Sequence, residues 1–264
     1  MKKPYLGLWA VLAVALVVFV TLSLNKSAAD DLGLKTASFD KVLAAKPTKK
    51  ATRTGQVVKG KETGRVPKKA TSTELDTTKK SILFIGDSML EGLGPRLAAY
   101  AEENGHKLVN VIWYSSTTEV WGSRTKLAEH IREFKPNYIF ICLGSNELFV
   151  RDIKEKRQKY VDNILSQIGD IPYVWIGPPN WKPDTGINDM ISSSVDEGCF
   201  YLSYTPDQHY DRSKDGAHPT RASASLWMDR VCKWVMTKSA HRIVLNKPKQ
   251  AKARCKTVVH QPVK

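Results

Sequence analysis

Three short polar segments interrupt otherwise apolar stretches of this chain: Gly86-Asp87-Ser88-Met89, Gly144-Ser145-Asn146-Glu147 and Asp215-Gly216-Ala217-His218-Pro219. A serine hydroxyl becomes a nucleophile when an imidazole takes its proton. A carboxylate on the far imidazole nitrogen fixes the tautomer that can do so. Asp215, three residues ahead of His218 in a loop that Pro219 stiffens, has the spacing to be that carboxylate. The Asn146 side-chain amide can donate to a developing oxyanion, a contact whose loss typically costs about 2.7–4 kcal/mol of transition-state stabilisation. Nucleophile, base, orienting acid and oxyanion donor are the parts of acyl transfer from an ester. Each has a plainer reading when taken alone. Ser88 is a helix cap, Asn146 an Asx turn closing a strand, and His218 a surface histidine. Their joint presence favours the chemistry.

Residues so far apart must be brought together by the elements around them. Apolar runs rich in Ile, Val, Phe and Tyr at 81–85, 107–113, 138–143, 173–176 and 199–203 read as strands. Segments of helical period separate them at 90–104, 123–134, 152–168 and 188–197, each stopped by Gly or Pro. A last amphipathic helix is expected over about 221–243, N-capped by Thr220, with Leu226, Trp227, Val231, Trp234 and Val235 toward the core. Five strands alternating with helices predict an α/β protein with a parallel sheet covered on both faces. In such sheets a site lies beyond the carboxyl ends of the strands, where all three polar segments fall. Ser88 then sits at a strand-to-helix turn, where a helix N-terminus favours negative charge.

The charge of the 264-residue chain is distributed unevenly. Residues 1–80 carry 16 Lys/Arg against 6 Asp/Glu and residues 246–264 carry 6 against none, whereas 81–245 carry 19 against 20. The net +15 therefore lies in the two ends, which argues against a nucleic-acid-binding surface on a folded domain. After Lys2 and Lys3, the uncharged run from Leu6 to Leu24 is 19 residues long. That nearly matches a hydrocarbon core of about 30 Å at about 1.5 Å per residue. Residues 1–29 thus read as a membrane anchor with the remainder outside the cytoplasm, cleavage of a signal peptide after Ser27-Ala28-Ala29 being the alternative. Residues 30–79, rich in Lys, Thr, Ala and Gly, read as a disordered basic linker, residues 80–245 as the folded domain, and 246–264 as a basic, solvated tail. Cys142 reads as a buried small hydrophobe. Pairing among Cys199, Cys232 and Cys255 stays open, and no Cys/His spacing resembles a zinc site.

With these blocks in this order, the region 81–245 resembles an SGNH hydrolase of the GDSL esterase/lipase superfamily. Ser88 falls in its first block, Asn146 in its third, and Asp215 with His218 in its fifth. Ile176-Gly177-Pro178-Pro179 is also similar to a stretch common there. The resemblance implies a flavodoxin-like three-layer α/β/α sandwich, a Ser88–His218–Asp215 triad, hydrolysis without metal or other cofactor, and a shallow site. It departs from the family in two places. The second block normally offers a glycine whose N–H joins the oxyanion hole, but here the sequence is Tyr114-Ser115-Ser116-Thr117-Thr118, so that donor is assigned to Thr117, with Ser116 as the alternative. Glu147 stands where the third block usually has Asp. The expected hole is the N–H of Ser88, the N–H of Thr117 and the amide of Asn146. The expected substrate is an O-acetyl ester on an envelope carbohydrate such as peptidoglycan or an exported polysaccharide. Trp113, Trp121 and Trp181 are candidates to stack on sugar rings, although packing is the commoner role. An O-acyltransferase using the same triad and a membrane-tethered scaffold are the rival readings.

Overall fold

The computed structural model of the protein describes Pro67 and residues 74–262. The apolar run at Leu6–Leu24 and nearly all of the linker lie outside these residues. Among the described residues no helix is long and apolar enough to cross a membrane.

Twelve elements alternate along the described chain: β1 (Ser81–Gly86), α1 (Leu90–Glu103), β2 (Lys107–Trp113), α2 (Thr118–Gly122), α3 (Lys126–Phe134), β3 (Tyr138–Cys142), α4 (Ile153–Ile168), β4 (Tyr173–Ile176), α5 (Ile187–Ser194), β5 (Phe200–Tyr201), α6 (Arg221–Thr237) and β6 (Lys256–His260). The strands form one parallel sheet in the order β5-β4-β3-β1-β2-β6. Within it, 2-1-3-4-5 is the flavodoxin-like order, with β6 added outside β2. Because both faces are covered, the central strands are unbroken apolar runs rather than alternating ones. Ile82 and Phe84 of β1 pack toward Leu93 and Leu97 of α1 and Trp227 and Val231 of α6. Leu83 and Ile85 pack on the other face, toward Trp121, Leu127, Val161 and Ile187 of α2 to α5. The result is the expected three layers.

Gly86 ends the central strand with room for no side chain. A Cβ there would lie 2.3 Å from the Cys142 carbonyl oxygen of β3. The tight approach lets Asp87 and Ser88 emerge directly from the middle of the sheet's carboxyl edge, where a reactive group is flanked by the loops of β2 and β3.

The sheet has six strands, not the five expected, because part of the segment read as a solvated tail is β6. The chain from 246 onward is laid against α1 and α6. The Arg96 guanidinium, 5 % exposed, donates to Gln250 O at 2.7 Å and Ala251 O at 3.2 Å while its Nε bonds Asp229 at 2.6 Å. Ala253 N–H donates to Pro95 O at 2.9 Å. From 256 to 260 the chain pairs in parallel with Val109–Trp113 of β2. Three of the five β6 residues are on or near the solvent side, as an edge strand allows, so charge hid the strand in the sequence. The last long helix also differs. It stops at Thr237 rather than 243, since Ser239 folds its hydroxyl onto Val235 O and the chain then turns to bury Ile243 and Leu245. Leu226 is 44 % exposed instead of facing the core, whereas Trp227, Val231 and Val235 are fully buried. No Cys232–Cys255 disulfide forms.

Candidate active site

The fold brings Ser88, His218 and Asp215 into one hydrogen-bonded row. Ser88 Oγ lies 2.7 Å from His218 Nε2, and His218 Nδ1 lies 2.7 Å from Asp215 Oδ2. A carboxylate at Nδ1 requires the proton there and leaves Nε2 as the acceptor facing the serine, the tautomer a general base needs. The loop is built to hold this arrangement. Gly216, with φ +71°, makes the turn that lets the Ala217 and His218 N–H groups both donate to Asp215 Oδ1, at 2.9 and 3.0 Å. Those two N–H groups, and then the His218 ring, hold the Asp215 pKa down to about 2. The carboxylate is therefore ionised at neutral pH although its side chain is half exposed.

Arg212 secures the loop from beneath. It donates to Ala217 O at 2.9 Å, and to Pro179 O and Asn180 O in the loop after β4. Burial pulls its pKa down. Nothing in the sequence distinguished Arg212 from other surface cations, because its partners are backbone carbonyls of a distant segment.

The other side of Ser88 is buried. Asp87 is fully enclosed and accepts hydrogen bonds from Met89 N–H at 2.9 Å, from the Ser145 hydroxyl and, at 3.4 Å, from Asn146 Nδ2. Burial pushes its pKa up to about 6, while the Ser145 and Met89 hydrogen bonds pull the other way. Asn146 Nδ2 also donates to Ser116 O at 2.9 Å, which ties the loop after β3 to the loop after β2. Next to it, the buried Glu147 accepts from Thr118 N–H and Thr118 Oγ1, both at 2.8 Å, and from Arg157 Nε at 2.7 Å.

The loop after β2 places its residues unequally. Ser116 N–H is taken by Trp113 O at 3.1 Å, which removes it as an oxyanion donor. Thr117 is the N-cap of α2, its hydroxyl accepting from Val120 N–H at 3.2 Å. Ser115 adopts φ +56°, the left-handed backbone that favours glycine. A cleft of ≈ 510 Å³ opens beside Ser88 and His218, walled by Ser115, Tyr114, Glu91, Ser213, Asp215 and Arg221 among others. Tyr114 donates its hydroxyl to Glu91 across this wall. Asn146 and Thr117 are not among the side chains lining the cleft. Trp113 and Trp121 are buried and stack edge to face, and Trp181 bonds Ser145 O, so all three are engaged in packing.

No protein-family model matches the chain, and no curated protein matches it. Among solved structures, one described as a lipolytic protein of the G-D-S-L family from Desulfitobacterium hafniense DCB-2 is similar over 58 % of this chain and 98 % of its own, at 18 % identity and a TM-score of 0.44. The psychrotrophic esterase EstA from Pseudoalteromonas sp. is similar over 59 % and 96 %, at 16 % identity and 0.42. A family 3 carbohydrate esterase from Clostridium thermocellum is similar over 59 % and 94 %, at 14 % identity and 0.43. At such identities and scores these likenesses carry no weight for the chemistry of the site, whose reading rests on its own geometry.

Proposed function

We propose that the protein is a serine ester hydrolase in which Ser88 is the nucleophile, His218 the general base and then general acid, and Asp215 the carboxylate that orients the imidazole. The observation that carries this reading is the unbroken row Ser88 Oγ, His218, Asp215, with both links at 2.7 Å, opening onto a cleft. Ser88 attacks the ester carbonyl as its proton passes to His218 Nε2. The imidazolium, stabilised by ionised Asp215, returns that proton to the leaving alcohol. Water, deprotonated by the same nitrogen, then attacks the acyl-enzyme and releases the acid. The oxyanion is held by the N–H of Ser88, the N–H of Thr117 and the Asn146 amide, whose one Nδ2 proton is on Ser116 O and whose other turns from its long 3.4 Å contact with Asp87 to the oxyanion.

The walls of the cleft support a small acyl group on a polar carrier. Glu91, Tyr114, Ser213, Asp215 and Arg221 offer hydrogen bonds and charge where a long acyl chain would need an apolar channel. An O-acetylated envelope carbohydrate meets that description. It also suits a domain held outside the cytoplasm by an anchor at Leu6–Leu24 and a linker, an arrangement proposed from sequence alone. Hydrolysis of p-nitrophenyl acetate by the full chain, beside Ser88→Ala, tests the chemistry. Release of acetate from acetylated peptidoglycan or polysaccharide tests the substrate class. Turnover that survives Ser88→Ala sinks the first, and turnover of the small ester with none of the acetylated glycans sinks the second.

A further inference from the structure

Glu147 is a carboxylate with no exposed surface, placed one residue after the proposed oxyanion donor Asn146 and outside the reacting set. A buried charge persists only where partners replace its water, and here they come from two other segments. Thr118, the first residue of α2, supplies its N–H and its hydroxyl, and Arg157 of α4 supplies Nε. Arg157 also meets Glu119 at 3.0 Å, and the Tyr160 hydroxyl donates to Glu119 at 2.9 Å. Burial raises the Glu147 pKa, while Thr118 and Arg157 oppose the rise.

The consequence lies in where these bonds fall. The backbone between β2 and α2 is gripped from the β3 side at two points, Ser116 O by Asn146 and Thr118 by Glu147. Thr117, the proposed second backbone donor, stands between the two grips. From this geometry we propose that Glu147 is a positioning residue. Its carboxylate holds the Ser116–Thr118 backbone and the Asn146 amide in one fixed relation, so that both oxyanion donors face Ser88 together. The assignment rests on the ester-hydrolase reading. Asp at this position would be one methylene shorter and could not span the same three partners without moving the loop.

The test uses the full chain and p-nitrophenyl acetate, with wild type, Glu147→Gln, Asn146→Ala and the double variant. It is paired with amide hydrogen exchange. Gln keeps the volume but must turn its NH2 toward either the Thr118 or the Arg157 donors. The kcat of Glu147→Gln is expected to fall about 10- to 100-fold, the scale of a misplacement near 1 Å, with KM changed less than about threefold. In the double variant the loss should stay within about threefold of Asn146→Ala alone, because the two act as one unit. The Thr118 amide should exchange faster while the amides of β1 and β3 stay protected.

A variant that melts earlier but keeps wild-type kcat, or losses that multiply in the double variant, would overturn the assignment in favour of plain structural pairing. Thr118→Val, which removes one bond and spares the buried charges, covers the case in which Glu147→Gln does not fold. A several-fold fall in kcat supports the clamp, and none overturns it. If the wild-type enzyme turns over no ester, the hydrolase reading fails separately. The exchange measurement still decides the clamp, since unchanged Thr118 protection removes it.

Discussion

The two flanks of Ser88 are constructed in opposite ways. The Asp215–His218 flank is local and open. One turn of four residues carries both groups, and the side chains of His218 and Asp215 remain 39 % and 50 % exposed. The flank made of Asp87, Ser145 and Glu147, with half-buried Asn146 among them, is enclosed and draws its partners from the loops after β1, β2 and β3. A group on the open flank can be removed with little effect on packing. A group on the enclosed flank holds neighbouring loops as well as chemistry, so its loss leaves buried donors unmatched. Reactivity and stability should therefore separate on one side of the serine and be inseparable on the other.

The sharpest test of that contrast is the open flank itself. Ser88→Ala and His218→Ala are each expected to lower kcat for p-nitrophenyl acetate by about 10⁴-fold or more. Stability should change by no more than about 0.5 kcal/mol in denaturant unfolding. Asp215→Asn should cost nearly as much activity, through the wrong tautomer. With the Asp215 pKa held to about 2, no loss of activity above pH 4 should trace to this carboxylate. On the enclosed flank, Asn146→Ala should lower kcat by about 10²–10³-fold. Asp87→Ala should combine a loss of activity with a loss of about 1–3 kcal/mol, because Ser145, Asn146 and Met89 N–H lose their acceptor. A stable but inactive Asp87→Ala, or a destabilised His218→Ala, would break the comparison.

The open flank was legible in the sequence because its chemistry is local. Asp215 and His218 are three apart, and the turn, the tautomer and the orienting role follow from that spacing. The layers and strands β1 to β4 were legible for a similar reason, since buried parallel strands are unbroken apolar runs. The enclosed flank was not. Asp87 was visible only as a motif letter, and the bonds of Glu147 to Thr118 and Arg157 join residues whose proximity no local pattern encodes. β6 was missed because an edge strand bordered by lysines resembles a solvated tail. Ser115 was passed over because a left-handed serine looks like any other serine in sequence.

A smaller effect concerns pH. His106 accepts from Lys80 N–H on Nδ1 at 3.0 Å, and its Nε2 sits 2.7 Å from Val244 O, an arrangement that needs the neutral ring. Burial lowers its pKa from 6.5, and likewise those of His130, His241 and His260. Below pH 6.5 the unfolded chain then binds more protons than the native one, so stability present above that pH is lost as pH falls through the depressed values. Asp87 runs the other way. With its pKa raised from 3.8 to about 6, the folded state takes up a proton first, and its contribution grows more favourable as pH falls across that interval. Four histidines against two carboxylates, since burial raises the Glu147 pKa as well, predict a net fall in Tm from pH 7.5 to 5. The fall should be shallower in His106→Gln and steeper in Asp87→Asn.

The edge strand also sets a timetable. Ser88 follows directly on the first strand of the sheet, yet the start of the loop beside it is held by some of the last residues described. Tyr114 N–H donates to His260 O at 3.1 Å and the Trp113 indole to Gln261 O at 2.9 Å. A chain synthesised at about 5–20 residues per second exposes its serine many seconds before those carbonyls exist. Until then the wall carrying Tyr114 and Ser115 lacks its outer tie, and a chain that ends early at 245 never acquires it. The nucleophile is thus among the first parts of the domain to be made, and the site around it among the last to be finished.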